Sequence, residues 1–209
     1  MATGLRERKK QATRIALSWA AVRLVVERGY DAVRVEDIAD EAGVSLRTFR
    51  NYFSSKAEAI AARHYDRVRL IADEVRARPA DEPLWTAIVA AVEARISLGS
   101  DGDGMPTREW LAGVRLMISE PALQGELFRV SVLAADALAA AVAERTGIDA
   151  ARDVYPRLVA AVVGAALGTA MEHWVELDPP VPFGPLLREV FDRVAAGLPE
   201  PIEGTHHDR

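Results

Sequence analysis

The stretch 35–56, VEDIADEAGVSLRTFRNYFSSK, constrains this chain more than any other. Val35, Ile38, Ala39 and Ala42 recur at i, i+3, i+4 and i+7, the spacing of one helical face. Gly43 follows, at the point where a residue free to take a left-handed backbone ends a helix without steric cost. Val44 is a hinge residue expected to be buried, and Ser45 carries the hydroxyl of an N-cap. The spacing then predicts a second helix over 46–53, with Phe49 and Phe53 on its inner face. Its other side offers Arg47, Thr48, Arg50, Asn51 and Tyr52, donors that reach phosphates and base edges. The pattern is a helix-turn-helix whose second helix is a recognition helix.

Ile38-Ala39, Ala42-Gly43-Val44-Ser45, Thr48, Tyr52-Phe53 and Ser55-Lys56 resemble the signature of the TetR family of bacterial transcriptional regulators. The local form RTFRNYFSSK resembles the branch that includes mycofactocin-associated regulators. The resemblance covers residues 8–60 and implies an all-α fold. A three-helix DNA-binding head (1–55) would precede an effector-binding and dimerisation body (56–200), with a tail (201–209) expected to be disordered. It implies that Thr48, Tyr52 and Lys56 meet phosphates and that Ser45 and Leu46 belong to the DNA-facing set. It also implies an isologous homodimer through the last two helices, on a palindromic operator released by a ligand. The chain departs from the family pattern at three points. Arg34 stands where a Thr often caps the first motif helix, leaving Asp31 as a candidate cap; Arg47 replaces a common Gly and Arg50 a common aromatic. The last two changes add cationic donors to the outer surface.

Charge distribution agrees. The 209 residues carry a net charge of −5, yet 1–56 hold 11 Lys/Arg against 7 Asp/Glu, a net of +4, and the remainder nets −9. A basic block on an acidic body is the footprint of a small DNA-binding domain joined to a different module. Arg6, Arg8, Lys9, Lys10 and Arg14 crowd the start of the first helix, either solvated or following the DNA backbone. Half the residues are hydrophobic and Ala is abundant, which favours buried helices. Cysteine is absent, so disulfides and thiolate metal sites are excluded. No charge-free apolar run has the length of a membrane span and no signal peptide is expected, so the chain is expected to be cytoplasmic.

Seven further helices are expected. The first runs to Arg28 with Ile15, Trp19, Val22 and Val26 facing the core. Others are expected over 56–78, 84–98, 107–119, 121–147, 157–175 and 183–197. The loop GSDGDGMP (99–106) lacks the acidic series of a calcium loop. The helix 157–175 is apolar on most sides and lined with small residues (Ala161, Gly164, Ala165, Gly168), as a buried or interface helix would be. Trp85, Trp110, Val114, Met117, Phe128, Met171 and Trp174 are candidate lining residues of an apolar pocket for a hydrophobic effector. Arg95, Arg115, Glu172 and His173 are its candidate polar groups, whereas His64 is expected to be a partly exposed helix histidine. The mycofactocin-associated resemblance implies an acyl-CoA or other long-chain effector. No cofactor, metal site or catalytic motif is implied. A helical protein-interaction module without DNA binding is the alternative, and an enzyme a more distant one.

Overall fold

The computed structural model describes residues 2–96, 108–177 and 181–199, with side chains from residue 6 onward and those of 96 and 108–110 left out. Among the described residues there are helices and no strands. α1 (Ala2–Arg28), α2 (Val35–Glu41) and α3 (Leu46–Arg50) form the head. α4 (Lys56–Ala77) leaves it and is followed by α5 (Leu84–Ile96), α6 (Arg108–Ser119), α7 (Pro121–Thr146), α8 (Tyr155–Glu176) and α9 (Phe183–Ala195). The 99–106 loop and the 201–209 tail lie outside the described residues.

The helix ends follow local chemistry. At the end of α2, the Val44 N–H donates to the Ala39 carbonyl at 2.9 Å and the Gly43 N–H to Asp40 at 3.0 Å. Gly43 takes φ +66°, which completes a Schellman turn. Its start is closed by Asp37, whose carboxylate accepts the Arg34 N–H at 2.8 Å. Asp31 is not needed there. Ser55 caps α4 by accepting the Glu58 N–H at 3.0 Å. Ahead of α8, Asp153 accepts the Tyr155 N–H at 2.8 Å.

Two apolar cores share α4. Leu17, Leu24, Ile38, Phe49, Phe53 and Ile60 form the head core, and Leu123 of α7 reaches into it. Ile71, Val75, Ile88, Leu138, Val163, Trp174 and Phe191 belong to the body core. One end of α4 is thus anchored in each unit. The face of α1 differs from expectation. Leu17, Ala20, Ala21, Leu24 and Val25 are its buried apolar residues, while Trp19 is 49% exposed under the Arg63 guanidinium, 3.8 Å from its ring centroid. Val22 and Val26 are half-buried and turn toward α6, where Gly113 lets the helices close: a Cβ there would stand 3.3 Å from Val22 Cγ1. Val22 still packs on the head core, and the rest of the expected stripe departs because α1 packs on α2, α4 and α6. The helix starts at Ala2.

Candidate nucleic-acid interface and effector cavity

α3 ends at Arg50, earlier than the expected 46–53, but Asn51 and Phe53 still donate to the Arg47 and Phe49 carbonyls at 3.2 and 3.0 Å. The chain therefore stays helically wound to Phe53. Ser45 accepts the Thr48 N–H at 3.1 Å, and its hydroxyl lies 2.9 Å from Thr48 Oγ1. Phe49 and Phe53 are buried with ring centroids 5.9 Å apart, and they fix α3 against the head. With that face anchored, Arg47, Arg50, Asn51 and Ser45 are exposed, and Leu46, Thr48 and Tyr52 are half-buried beside them. Val44 is half-buried rather than buried. Arg47 and Arg50 take part in no recorded hydrogen bond or ion pair within the described residues, so both guanidinium forks point to solvent without a protein partner.

Lys56 is engaged within the head. Its ammonium donates to the Tyr30 carbonyl and, at 2.8 Å, to the Val33 carbonyl, and sits 4.0 Å from the Tyr30 ring centroid. Both carbonyls belong to the connection between α1 and α2. In this arrangement Lys56 fastens that connection to α4 with two of its three N–H donors.

In the body, α4, α6, α7 and α8 line a partly open cavity of about 350 Å³. α4 contributes His64, Arg67, Val68 and Ile71; α6 contributes Val114, Met117 and Ile118. α7 adds Leu127, Ser131, Ala134 and Leu138, and α8 adds Val163, Gly164, Leu167, Gly168, Met171 and Glu172. The walls are mainly apolar with a few polar groups, the composition of a small-molecule site. His64 Nε2 lies 3.3 Å from Ser131 Oγ. Burial, with the Arg67 charge beside it, pushes the His64 pKa down to about 4, so its imidazole is neutral at pH 7. Burial and the neighbouring Arg63 charge pull Arg67 down to about 10, which leaves it protonated.

Of the expected pocket residues, Val114, Met117 and Met171 line this cavity, as does Glu172 among the polar candidates. Three others are elsewhere. Trp174 is in the body core, its ring 5.0 Å from that of Phe183 and its indole N–H donated to the Val181 carbonyl at 2.6 Å. Trp85 packs against the same core, and Phe128 is 74% exposed on α7. The Trp110 side chain lies outside the described residues. Arg95 is paired with Glu74 at 2.6 Å, and Arg115 donates to the Val175 carbonyl at 3.3 Å. His64 is half-buried, in line with the expected partly exposed histidine, but it lines the cavity, and Arg67 and Ser131 were not among the expected residues. A glance at 63–67 alone suggests a solvated helix surface; α7 crossing that surface turns it inward.

Cavity and head meet in one stretch of α4. Arg63 stacks on Trp19 and Asp66 pairs with Arg14, both on α1. His64 and Arg67, interleaved with them, face the cavity. Met117 also touches both units, lining the cavity while packing on the head core.

Residues 19–63 match the family described as bacterial regulatory proteins, tetR family, and residues 82–199 match the MftR C-terminal domain. The transcriptional regulator TcmR of Streptomyces glaucescens is 35% identical over 177 residues, covering 82% of this chain and 76% of its own. The regulator MftR of Mycobacterium tuberculosis is 29% identical over 196 residues, 91% of this chain and 93% of its own. The fold agrees with that of the fatty acid degradation regulator FadR from Bacillus halodurans at TM-score 0.59 and 18% identity, covering 89% of this chain and 96% of that one.

Proposed function

The chain belongs to the TetR family of bacterial transcriptional regulators, and we propose that within it this protein is a repressor released from a palindromic operator by a hydrophobic small molecule. It is a DNA-binding regulator from a family of regulators rather than enzymes. Work on chromosomal DNA implies a soluble, cytoplasmic protein. α8 is long and apolar enough to cross a membrane, but Val159, Val163, Ala170 and Trp174 on one face pack into the body core.

The observation that carries the proposal is the outward face of α3. Its apolar residues are committed to the head core, and two unpartnered guanidinium groups stand on the other side. Arg is the usual partner of guanine O6 and N7, and it also binds phosphates bidentately. We assign Arg47, Arg50 and Asn51 to groove contacts, and Ser45, Leu46, Thr48 and Tyr52 to the contacts around them. Lys56 serves by positioning the head.

For the homodimer, the outer face of α8 supports an isologous contact. Leu158 is 54% exposed, and the exposed small residues Ala161 and Ala165, outside the cavity lining, would allow close helix approach. α9 exposes Arg188, Glu189, Asp192 and Arg193, which suits the polar rim of such an interface. The cavity supplies the ligand site, and an acyl chain, including that of an acyl-CoA, is among the ligands it would take. A ligand favouring the DNA-incompetent arrangement shifts the dimer off its operator by its difference in affinity for the two arrangements.

Selection of bound duplexes from a random pool tests this. The proposal expects a twofold-symmetric site whose half-sites lie about one helical turn or a multiple apart, occupied by two chains in sedimentation. A reporter placed behind that site should be lowered by the protein. An asymmetric site bound by one chain would contradict the dimeric mode, and a raised reporter would make the protein an activator.

A further inference from the structure

We propose that the effector is an apolar monocarboxylate whose carboxylate is held by Arg67, with Ser131 and His64 beside it. The assignment rests on the cavity being the effector site.

Arg67 is part-buried in the cavity wall, and within the described residues it has no recorded hydrogen bond and no carboxylate within ion-pair distance. Its neighbours on α4 are otherwise engaged. Asp66, the adjacent carboxylate, pairs with Arg14 of α1. Arg63 lies over the Trp19 ring and adds positive charge near Arg67. Glu172, the other ionisable group of the lining besides His64, makes no recorded pair with Arg67. An unpaired charge facing an apolar cavity is costly, and the protein retains it. A bound anion would compensate it.

The rest of the cavity narrows the anion. A guanidinium fork matches a planar carboxylate in a bidentate geometry. Ser131 and a neutral His64, hydrogen-bonded to each other, leave one donor for the carboxylate: the Ser131 hydroxyl if His64 Nε2–H donates to it, or His64 Nδ1–H in the other tautomer. Val68, Ile71, Val114, Leu138, Val163 and Met171 would hold the apolar body. A cavity of about 350 Å³ is at the small end of ligand sites, so that body is a medium-length chain or a compact ring system. A thioester carbonyl carries no charge and would leave Arg67 uncompensated. The geometry thus favours a free acid over its coenzyme A ester.

Calorimetric titration of the full-length protein with decanoate and decanol separates the possibilities. Decanoate is expected to bind at least about ten-fold tighter than decanol, as a charge-assisted bidentate pair implies. Arg67→Met should abolish that preference while leaving decanol affinity within about two-fold, because it removes the charge and keeps the volume. Arg67→Lys should retain part of the preference. Melting each variant without ligand checks folding, and Arg67→Met is expected to melt no lower than the parent, since it removes an uncompensated charge. Equal binding of decanoate and decanol, unmoved by Arg67→Met, would overturn the carboxylate assignment but leave the cavity as an effector site. Absence of binding by either probe would overturn the cavity reading and the assignment with it.

Discussion

Asp66 and Arg67 are neighbours on α4 that face different parts of the molecule: Asp66 pairs with Arg14 of the head, and Arg67 lines the body cavity. Successive residues of a helix project about 100° apart, so one turn of α4 can touch both units without any intermediary. Arg63 and His64 repeat the arrangement one turn earlier, on Trp19 and on the cavity. A ligand that moves this turn therefore acts on α1 directly.

The Arg14–Asp66 pair should carry measurable coupling. The two side chains are 25% and 17% exposed, and the Arg14 guanidinium also lies 5.4 Å from the Phe53 ring centroid. Arg14→Ala and Asp66→Asn are each expected to cost about 1–2 kcal/mol, with the double variant little worse than the worse single. Urea denaturation of all four proteins checks this; additive losses would mean that the pair is not energetically linked.

His64 gives a pH dependence whose sign follows from its depressed pKa. The unfolded histidine takes its proton near pH 6.5, whereas the folded one waits until about pH 4. Between those values the unfolded state binds more protons, so stability falls as pH falls through this window. The loss attributable to His64 is at most about 3 kcal/mol, and His64→Gln should reduce it. An NMR titration showing the folded imidazole protonating near 6.5 would contradict the burial argument.

Ser18 is fully buried in the head, and its hydroxyl finds no partner. Removing an unsatisfied buried polar group relieves a desolvation penalty, and Ala also favours a helix. Ser18→Ala is expected to raise stability by about 1 kcal/mol in chemical denaturation. A loss of that size would show that the hydroxyl has a partner in solution.

Gly113 sets the approach of α6 to α1. Gly113→Ala is expected to be nearly neutral, because the gain of roughly 1 kcal/mol in helix propensity opposes the push on Val22. Gly113→Leu forces the helices apart and should cost about 1–3 kcal/mol. Thermal melts of the two variants distinguish tight packing from a gap that a leucine could fill.

Helix ends were the most legible part of the sequence because single residues determine them. Gly43, Ser45, Ser55 and Gly147 each stand within two residues of a boundary, with Gly43 and Gly147 at φ +66° and +69°. The outward set of α3 was legible for the same reason: Phe49 and Phe53 leave only one orientation. Facing was harder where a helix has several partners. α4 meets the head, α5 and α7, so spacing alone did not single out Arg67, and Trp19 looked like core although it stacks under Arg63. Aromatic size misled in the body. Trp174 and Phe128 suggested a pocket, but one fills the core and the other faces outward. Lys56 was placed on DNA by resemblance, whereas its reach to the 30–33 connection depends on a fold that spacing does not reveal.

The central claim is that α3 reads duplex DNA through Arg47 and Arg50, and salt-dependent binding to a selected operator tests it most directly. Fluorescence anisotropy over a range of salt should show affinity falling steeply for the parent protein. Arg47→Ala and Arg50→Ala should each weaken binding by about 1–3 kcal/mol if they meet base edges, or flatten the salt slope by about one if they meet a phosphate. Melting behaviour should stay unchanged in both, since neither side chain has a partner within the protein. Variants that bind the operator as tightly as the parent, with the same slope, would contradict the account.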